Sequence, residues 1–362
     1  MSGIAQTKFN NNLHREFSKA LNLRVSDYFK SKGIRRYGNW EMVVKTIVMF
    51  AIYFVPYALI LSGLVQTVWL FCVMQVVVGI GLAGIGLSVM HDANHGAYAK
   101  SRLWNKIIGY SLNLVGGNAT NWKIQHNVKH HTYTNVDGHD EDVSPKGGIL
   151  RLSPNSNKKK IHRYQHVYAW FLYGLMTFSW IVIKDIKQLI WYTKDGMLAK
   201  QQPVGKAWVW LIASKIFYYG YIIVIPVIFT PFSIWIILLG FFIMHCVAGF
   251  ILAIIFQPAH VIEGNEYPLP NENDVIEENW SVHQLKTTCN FAPKNRLLSW
   301  YVGGLNYQIE HHLFPNICHV HYRKISKIVR QTAEEFNVPY NSYDTFWGAL
   351  VSHGRMLYVL GR

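Results

Sequence analysis

Two long apolar runs dominate the pattern of the chain. Apart from histidine, Lys45 is the only charged side chain between Val43 and Met90, and Lys215 the only one between Ala207 and His260. A helix needs roughly 20 mostly apolar residues to cross the hydrocarbon core of a bilayer, so each run holds two spans. The pattern predicts them at 44–61, 65–90, 208–229 and 234–256. The breaks, Ser62-Gly63 and Thr230-Pro231-Phe232-Ser233, are short and uncharged, as tight hairpin turns require.

Between the hairpins lies a long polar segment, 91–206, with two semi-apolar stretches at 104–115 and 167–183. Each is short for a span, and together they supply Trp104, Tyr110, Tyr168, Trp170, Tyr173 and Trp180. Amphipathic rings of this kind favour the headgroup zone, so both are read as interfacial or re-entrant helices. Near the N-terminus, Phe17, Leu21, Leu23, Val25, Tyr28 and Phe29 recur among charges, which predicts a short amphipathic helix at the membrane surface. The stretch 153–160, ending in Lys158-Lys159-Lys160, reads as a solvated polar loop rather than a headgroup contact. Gly79-Ile80-Gly81-Leu82-Ala83-Gly84 has the spacing of a dinucleotide loop but sits inside an apolar helix. There, small residues serve close helix packing.

The net charge of +15 would suggest nucleic acid on a soluble protein. Here Lys and Arg crowd residues 1–42, 100–206 and the stretch beyond 265, and the hairpin turns carry none. That is the positive-inside distribution: both termini and the middle segment cytoplasmic, with anionic membrane lipids as neighbours and no nucleic acid. Cys72, Cys246, Cys289 and Cys318 are scattered, which argues against a disulfide framework or a thiolate metal site. The N-terminus reads as polar, without a signal peptide.

Three histidine clusters supply the chemistry: His91-Asp92-Ala93-Asn94-His95, His126-Asn127-Val128-Lys129-His130-His131 and Gln308-Ile309-Glu310-His311-His312. Histidines four apart share a helix face, as do His91 with His95 and His126 with His130. At 3.6 residues per turn His131 is turned about 100° further, so an adjacent pair can serve two metals. His311 and His312 repeat that arrangement, and the topology puts all three clusters on one side of the membrane. Imidazole suits iron, copper, zinc and nickel. Seven clustered histidines exceed what one zinc ion needs, so two redox metals and dioxygen chemistry are the better reading. The acidic run His139-Asp140-Glu141-Asp142 is expected to orient ligand histidines, as are Asp92 and Glu310. His245 is expected to bond between helices, and His162, His166 and His353 to face headgroups or water.

The motifs HDANH, HNVKHH and QIEHH, in this order around two hairpins, resemble the three histidine boxes of the membrane fatty acid desaturases. The resemblance spans residues 40–330, and Gln308 at the head of the third box is similar to the front-end (Δ6/Δ5-type) branch. It implies an all-α membrane protein with four transmembrane helices in two hairpins and a cytoplasmic histidine-rich helical cap. It further implies two non-haem iron ions, with dioxygen and two electrons removing two hydrogens from a fatty acyl-CoA or acyl-lipid. The implied ligands are His91, His95, His126, His130, His131, His311 and His312, joined by His260, with Gln308 either an amide ligand or a water-mediated contact. Members of that branch often carry a fused cytochrome b5-type domain marked His-Pro-Gly-Gly. This chain lacks the motif and has no room for such a domain before residue 40. A separate donor, a ferredoxin or a cytochrome b5, is therefore expected.

On this reading residues 1–42 form a cytoplasmic N-terminal segment, 43–330 the membrane desaturase domain and 331–362 a cytoplasmic tail, in a bacterial plasma membrane. Hydroxylation of an acyl chain or sphingolipid by the same type of centre is the alternative. Metal binding or transport is a remote one, since neither hairpin contains a carboxylate.

Overall fold

A computed structural model describes residues 7–143 and 148–362; the first six residues of the N-terminal segment lie outside it. The protein is mostly helical. Strands among the described residues are two-residue parallel pairs, Lys8–Phe9 with Val275–Ile276 and Asn290–Phe291 with Ser342–Tyr343. The chain forms two compact units, one of Met1–Tyr37, Gln125–Ala169 and Ile255–Arg362, the other of Gly38–Ile124 and Trp170–Ile254.

Among the described residues, four helices are long and apolar enough to cross a membrane, Trp40–Leu61, Val68–Asn94, Val204–Phe229 and Ile234–His260, the last running on from the second unit into the first. The shortest has 22 residues, about 33 Å at 1.5 Å per residue, against about 30 Å of hydrocarbon. Both hairpin turns fall at the predicted breaks. Their tips share a core of Ile60, Val65, Phe71, Phe232 and Ile237. Two of the helices run further than hydropathy alone indicates, to Asn94 and His260. Their polar last turns therefore extend a span directly into the histidine clusters. The segment around 167–183 lies in a helix pair, Lys160–Gly174 and Met176–Lys194, bent by 61° at the break.

Glycine sets how closely these helices approach. A Cβ on Gly81 would lie 2.6 Å from the backbone nitrogen of Tyr53, and one on Gly79 would lie 2.6 Å from the carbonyl oxygen of Met244. The GxGxxG spacing is thus a packing stripe. Several tyrosine and histidine groups between helices are paired, as hydrocarbon favours. Tyr53 and Tyr221 share a hydroxyl hydrogen bond of 2.7 Å, and His245 Nε2 lies 2.6 Å from the Tyr218 hydroxyl.

Lys215, the lone charge of its run, finds an acid that the hairpins themselves lack. Its ammonium donates to Asp185 Oδ2 (2.7 Å), Gly116 O (2.6 Å) and Ile181 O (2.8 Å). All three of its N–H bonds are used. Asp185 also accepts from the Trp180 indole at 2.9 Å, and its carbonyl takes the Asn121 amide at 2.7 Å.

The first unit corrects the reading of the N-terminal helix, Arg15–Ser31. Its apolar stripe, Phe17, Leu21 and Val25, is covered by protein, packed in one core with Val282, Leu285, Ile325 and Val329. Amphipathicity fixes that a face is buried but not what covers it; here the Tyr322–Glu335 helix brings a matching stripe. His162 and His353 also depart from expectation. Both are buried, His162 Nε2 lying 2.8 Å from Gly148 O and His353 Nδ1 2.6 Å from Val261 O. Each has a backbone carbonyl that makes burial of a neutral imidazole tolerable.

Lys215→Met leaves the Asp185 carboxylate buried without its cation, at an expected loss of about 3–5 kcal/mol. Thermal unfolding in detergent should show a lower midpoint, partly restored by adding Asp185→Leu. An unchanged midpoint in the single variant would refute this role for the pair.

Candidate metal centre

The second histidine cluster lies in a π-helical segment, Lys123–His130. Its winding is marked by an i→i+5 hydrogen bond from His131 N to His126 O, 2.9 Å. This departs from the 3.6-residue geometry, which puts His131 well round from His126. The wider turn brings them together, with Nε2 atoms 3.2 Å apart. His131 Nε2 also lies 2.9 Å from His311 Nε2.

Two neighbouring groups result. His130, His260 and His312 form one; His131, His311 and His312 form the other, with candidate ligand atoms in each group within 4.8 Å of one another. The adjacent pair His130-His131 is split between the groups, and His312 belongs to both. All these histidines are buried. In the second unit, His91 and His95 face each other with ring centroids 4.8 Å apart, and Trp122 lies 5.5 Å from each.

The anchoring of the rings shows what they can hold. His130 Nδ1 lies 2.9 Å from Asp140 Oδ2, His312 Nδ1 2.9 Å from Gln284 Oε1 and His260 Nδ1 3.4 Å from Thr287 O. An Nδ1–H donated to oxygen leaves the Nε2 lone pair for a cation. His130 Nε2 and His260 Nε2 are buried and meet no hydrogen-bond donor among the described residues. Buried lone pairs converging in this way fit a cation that prefers imidazole.

Asp140 meets the expectation for the acidic run. Burial opposes charge on both Asp140 and His130, but their mutual attraction and hydrogen bond win. Asp140 is held below the usual carboxylate range and His130 above the usual imidazole range. Glu310 does not meet the expectation. Its carboxylate accepts from Asn290 Nδ2 (2.8 Å) and the Tyr340 hydroxyl (2.9 Å), tying the third cluster to the Asn290–Phe291 strand. Burial pushes Glu310 up to about 7, against those two donors. Gln308 is buried at the start of the Gln308–Leu313 helix, and its Oε1 finds no donor among the described residues.

Several residues that hold the histidines escaped the motif reading. Gln284, on the Trp280–Thr287 helix, accepts from Thr134 at 2.9 Å and donates to the His131 carbonyl at 3.3 Å, besides facing His312. Asn265 Nδ2 reaches Ala259 O (2.9 Å), His260 O (3.1 Å) and Thr287 O (3.2 Å), so it caps the end of the Ile234–His260 helix. Asn135 donates to His260 O at 3.0 Å from a left-handed backbone, φ 60°, which asparagine tolerates better than most residues. In the sequence only proximity to the second cluster could have marked Thr134 and Asn135, and no motif marks Gln284 or Asn265.

Comparison with known proteins matches residues 67–344 to the family model "Fatty acid desaturase". The chain is 35% identical over 339 residues to the sn-1 linoleoyl-lipid 6-desaturase of Arthrospira platensis, covering 93% of this chain and 90% of that protein. It is 36% identical over 352 residues to the enzyme of the same name from Synechocystis sp., covering 96% of each. An acyl-lipid (8-3)-desaturase of Physcomitrium patens is 34% identical over 359 residues, 96% of this chain and 72% of that protein. With most of its length matched and its apolar spans and histidine clusters in place, this chain belongs to the fatty acid desaturase family, as an integral membrane oxidoreductase acting on fatty acyl chains.

Proposed function

We propose that this enzyme inserts a double bond on the carboxyl side of an existing one, in an acyl chain esterified to a membrane lipid. The relatives named for linoleoyl-lipid and acyl-lipid desaturation support the lipid carrier over a CoA ester. Gln308 at the head of the third box supports the front-end branch. The observation that carries the reading is the convergence of the His130, His260 and His312 ligand atoms, with the Nε2 lone pairs of His130 and His260 buried and meeting no donor among the described residues.

Two iron ions are the proposed cofactors, held by His91, His95, His126, His130, His131, His260, His311 and His312, with Gln308 a ninth candidate. When bound, they supply the dioxygen chemistry that removes two hydrogens from an unactivated –CH2–CH2– unit. The residues present keep the ligands ready for that role. Asp140 holds the proton of His130 on Nδ1, and Gln284 and Thr287 O act likewise for His312 and His260. Burial of the rings keeps bulk water from competing for their lone pairs. Two electrons come from a separate protein donor, a ferredoxin or a cytochrome b5. The proposed location is a bacterial plasma membrane with the site cytoplasmic, supported by the positive-inside distribution of Lys and Arg.

Expression in a desaturase-deficient host, with lipid acyl chains profiled by gas chromatography–mass spectrometry, should show a new double bond that His130→Ala abolishes. A hydroxylated product would overturn desaturation in favour of oxygen insertion, and absence of bound iron in the active wild type would overturn the metal assignment. Asp140→Asn keeps an acceptor but loses the charge that strengthens His130 as a donor to metal. It should weaken iron binding about 10–100-fold, measured by titration of the metal-free protein.

A further inference from the structure

The Trp280–Thr287 helix does more than hold Gln284. Trp280 lies four residues before it, on the same helix face, and its indole Nε1–H donates to the backbone carbonyl of His131 at 3.3 Å. Trp280 is half-buried, and its outer side lines an open surface groove of about 460 Å³. One aromatic ring thus spans from the surface to the main chain of a candidate metal ligand.

The opposite wall of the groove is the N-terminal helix. Arg15, Ser18, Lys19 and Asn22 face the groove at positions i, i+3, i+4 and i+7, while Phe17, Leu21 and Val25 point into the core. The stripe holds two exposed cations, and among the described residues no acidic side chain lines the groove. Glu278, the acid nearest in sequence to Trp280, is engaged by His14 at 2.9 Å and Lys286 at 3.0 Å.

The two walls are fastened at Trp280 itself. Ser18 donates to Asn279 Oδ1 at 2.6 Å, Asn279 Nδ2 to Asn11 O at 3.3 Å, and the Trp280 amide to Asn11 Oδ1 at 3.1 Å. The N-cap of the tryptophan helix is therefore locked to the basic helix, which fixes the indole against the groove.

We propose that this groove is the docking surface for the electron donor, a small acidic one-electron carrier protein, and that Trp280 couples the donor to the site through the His131 carbonyl. The proposal rests on the reading of His131 as a metal ligand in a desaturase. The electron balance requires such an entrance. Breaking two C–H bonds and forming C=C while dioxygen becomes two waters takes two electrons and two protons from outside. A one-electron carrier delivers the electrons in two visits, and Trp280 is unchanged at the end of each. A polar, basic groove suits an acidic protein surface, where charge complementarity governs encounter.

The test uses metal-loaded full-length protein in phosphatidylcholine vesicles, driven in two ways. In one, dithionite pre-reduces the enzyme and a single turnover follows addition of oxygen. In the other, electrons come from reduced acidic [2Fe–2S] ferredoxin or soluble cytochrome b5, whichever drives the wild type faster. The Arg15→Glu/Lys19→Glu double variant should keep its dithionite-driven turnover. Its carrier-driven rate should fall about 10-fold or more at low salt, with the gap closing as salt rises. Trp280→Phe keeps a ring but loses the N–H. It should lower the rate at saturating carrier several-fold more than it lowers the dithionite turnover, with carrier half-saturation unchanged.

Unaltered carrier-driven rates in the charge-reversed protein would overturn the docking surface. So would an effect that appears only when anionic lipid is added to the vesicles, which would make the stripe a headgroup contact. Equal losses under both drives in Trp280→Phe would make the residue a structural support of His131. If the wild type forms no product even after dithionite reduction, the desaturase reading fails first, and the docking proposal with it.

Discussion

A buried neutral imidazole has one N–H to donate and one lone pair to be used, and the architecture of the first unit follows from meeting both needs. The donors are dealt with individually. Asp140, Gln284 and the Thr287 carbonyl each take an Nδ1 from a different histidine. The lone pairs are dealt with collectively, by pointing them toward one another. Separately, each such nitrogen would be a costly orphan. Together they make a candidate donor set for a cation, and the surrounding asparagines, glutamine and threonine hold that arrangement in place.

Much of this was legible in the sequence, for reasons that differ by level. Hydrocarbon as solvent imposes both the length and the apolarity of a span, so four helices could be placed from composition; polar turns carry most of the displaced ends outward, while the second span starts at Val68 and not at 65. Spacing also revealed the histidine clusters, because ligand chemistry restricts residue types more severely than packing does. The π-winding of Lys123–His130 was not legible, since no local composition distinguishes i→i+5 from i→i+4 bonding. The partners were not legible either. Gln284 lies far along the chain from both Thr134 and His131, and nothing in its neighbourhood marks it. The partner of Lys215 was equally hidden, because Asp185 sits 30 residues upstream in a different segment.

The N-terminal helix illustrates how a correct local pattern can support the wrong environment. Its moment called for an apolar cover, and a membrane surface was the available candidate in a membrane protein. The structure supplies instead a stripe from the Tyr322–Glu335 helix, near the other end of the chain. That substitution also changes what the polar face means. A helix docked on protein presents its cations to other macromolecules in a fixed frame, rather than to mobile lipid headgroups.

The division of the chain carries a consequence for biogenesis. The first unit is made of three pieces, Met1–Tyr37, Gln125–Ala169 and Ile255–Arg362, interrupted twice by pieces of the second. Its candidate ligand histidines come from residues 126–131, 260 and 311–312, so the proposed donor set is incomplete until the ribosome has passed His312. Both apolar hairpins have emerged by then and have to be in lipid. Metal capture by the candidate set therefore waits for the late part of synthesis. The nascent chain must carry exposed imidazoles through insertion without committing them to whatever cation it meets first. Late closure by long-range contacts makes that possible. It also makes cellular metal supply, and not synthesis alone, a determinant of how much enzyme matures.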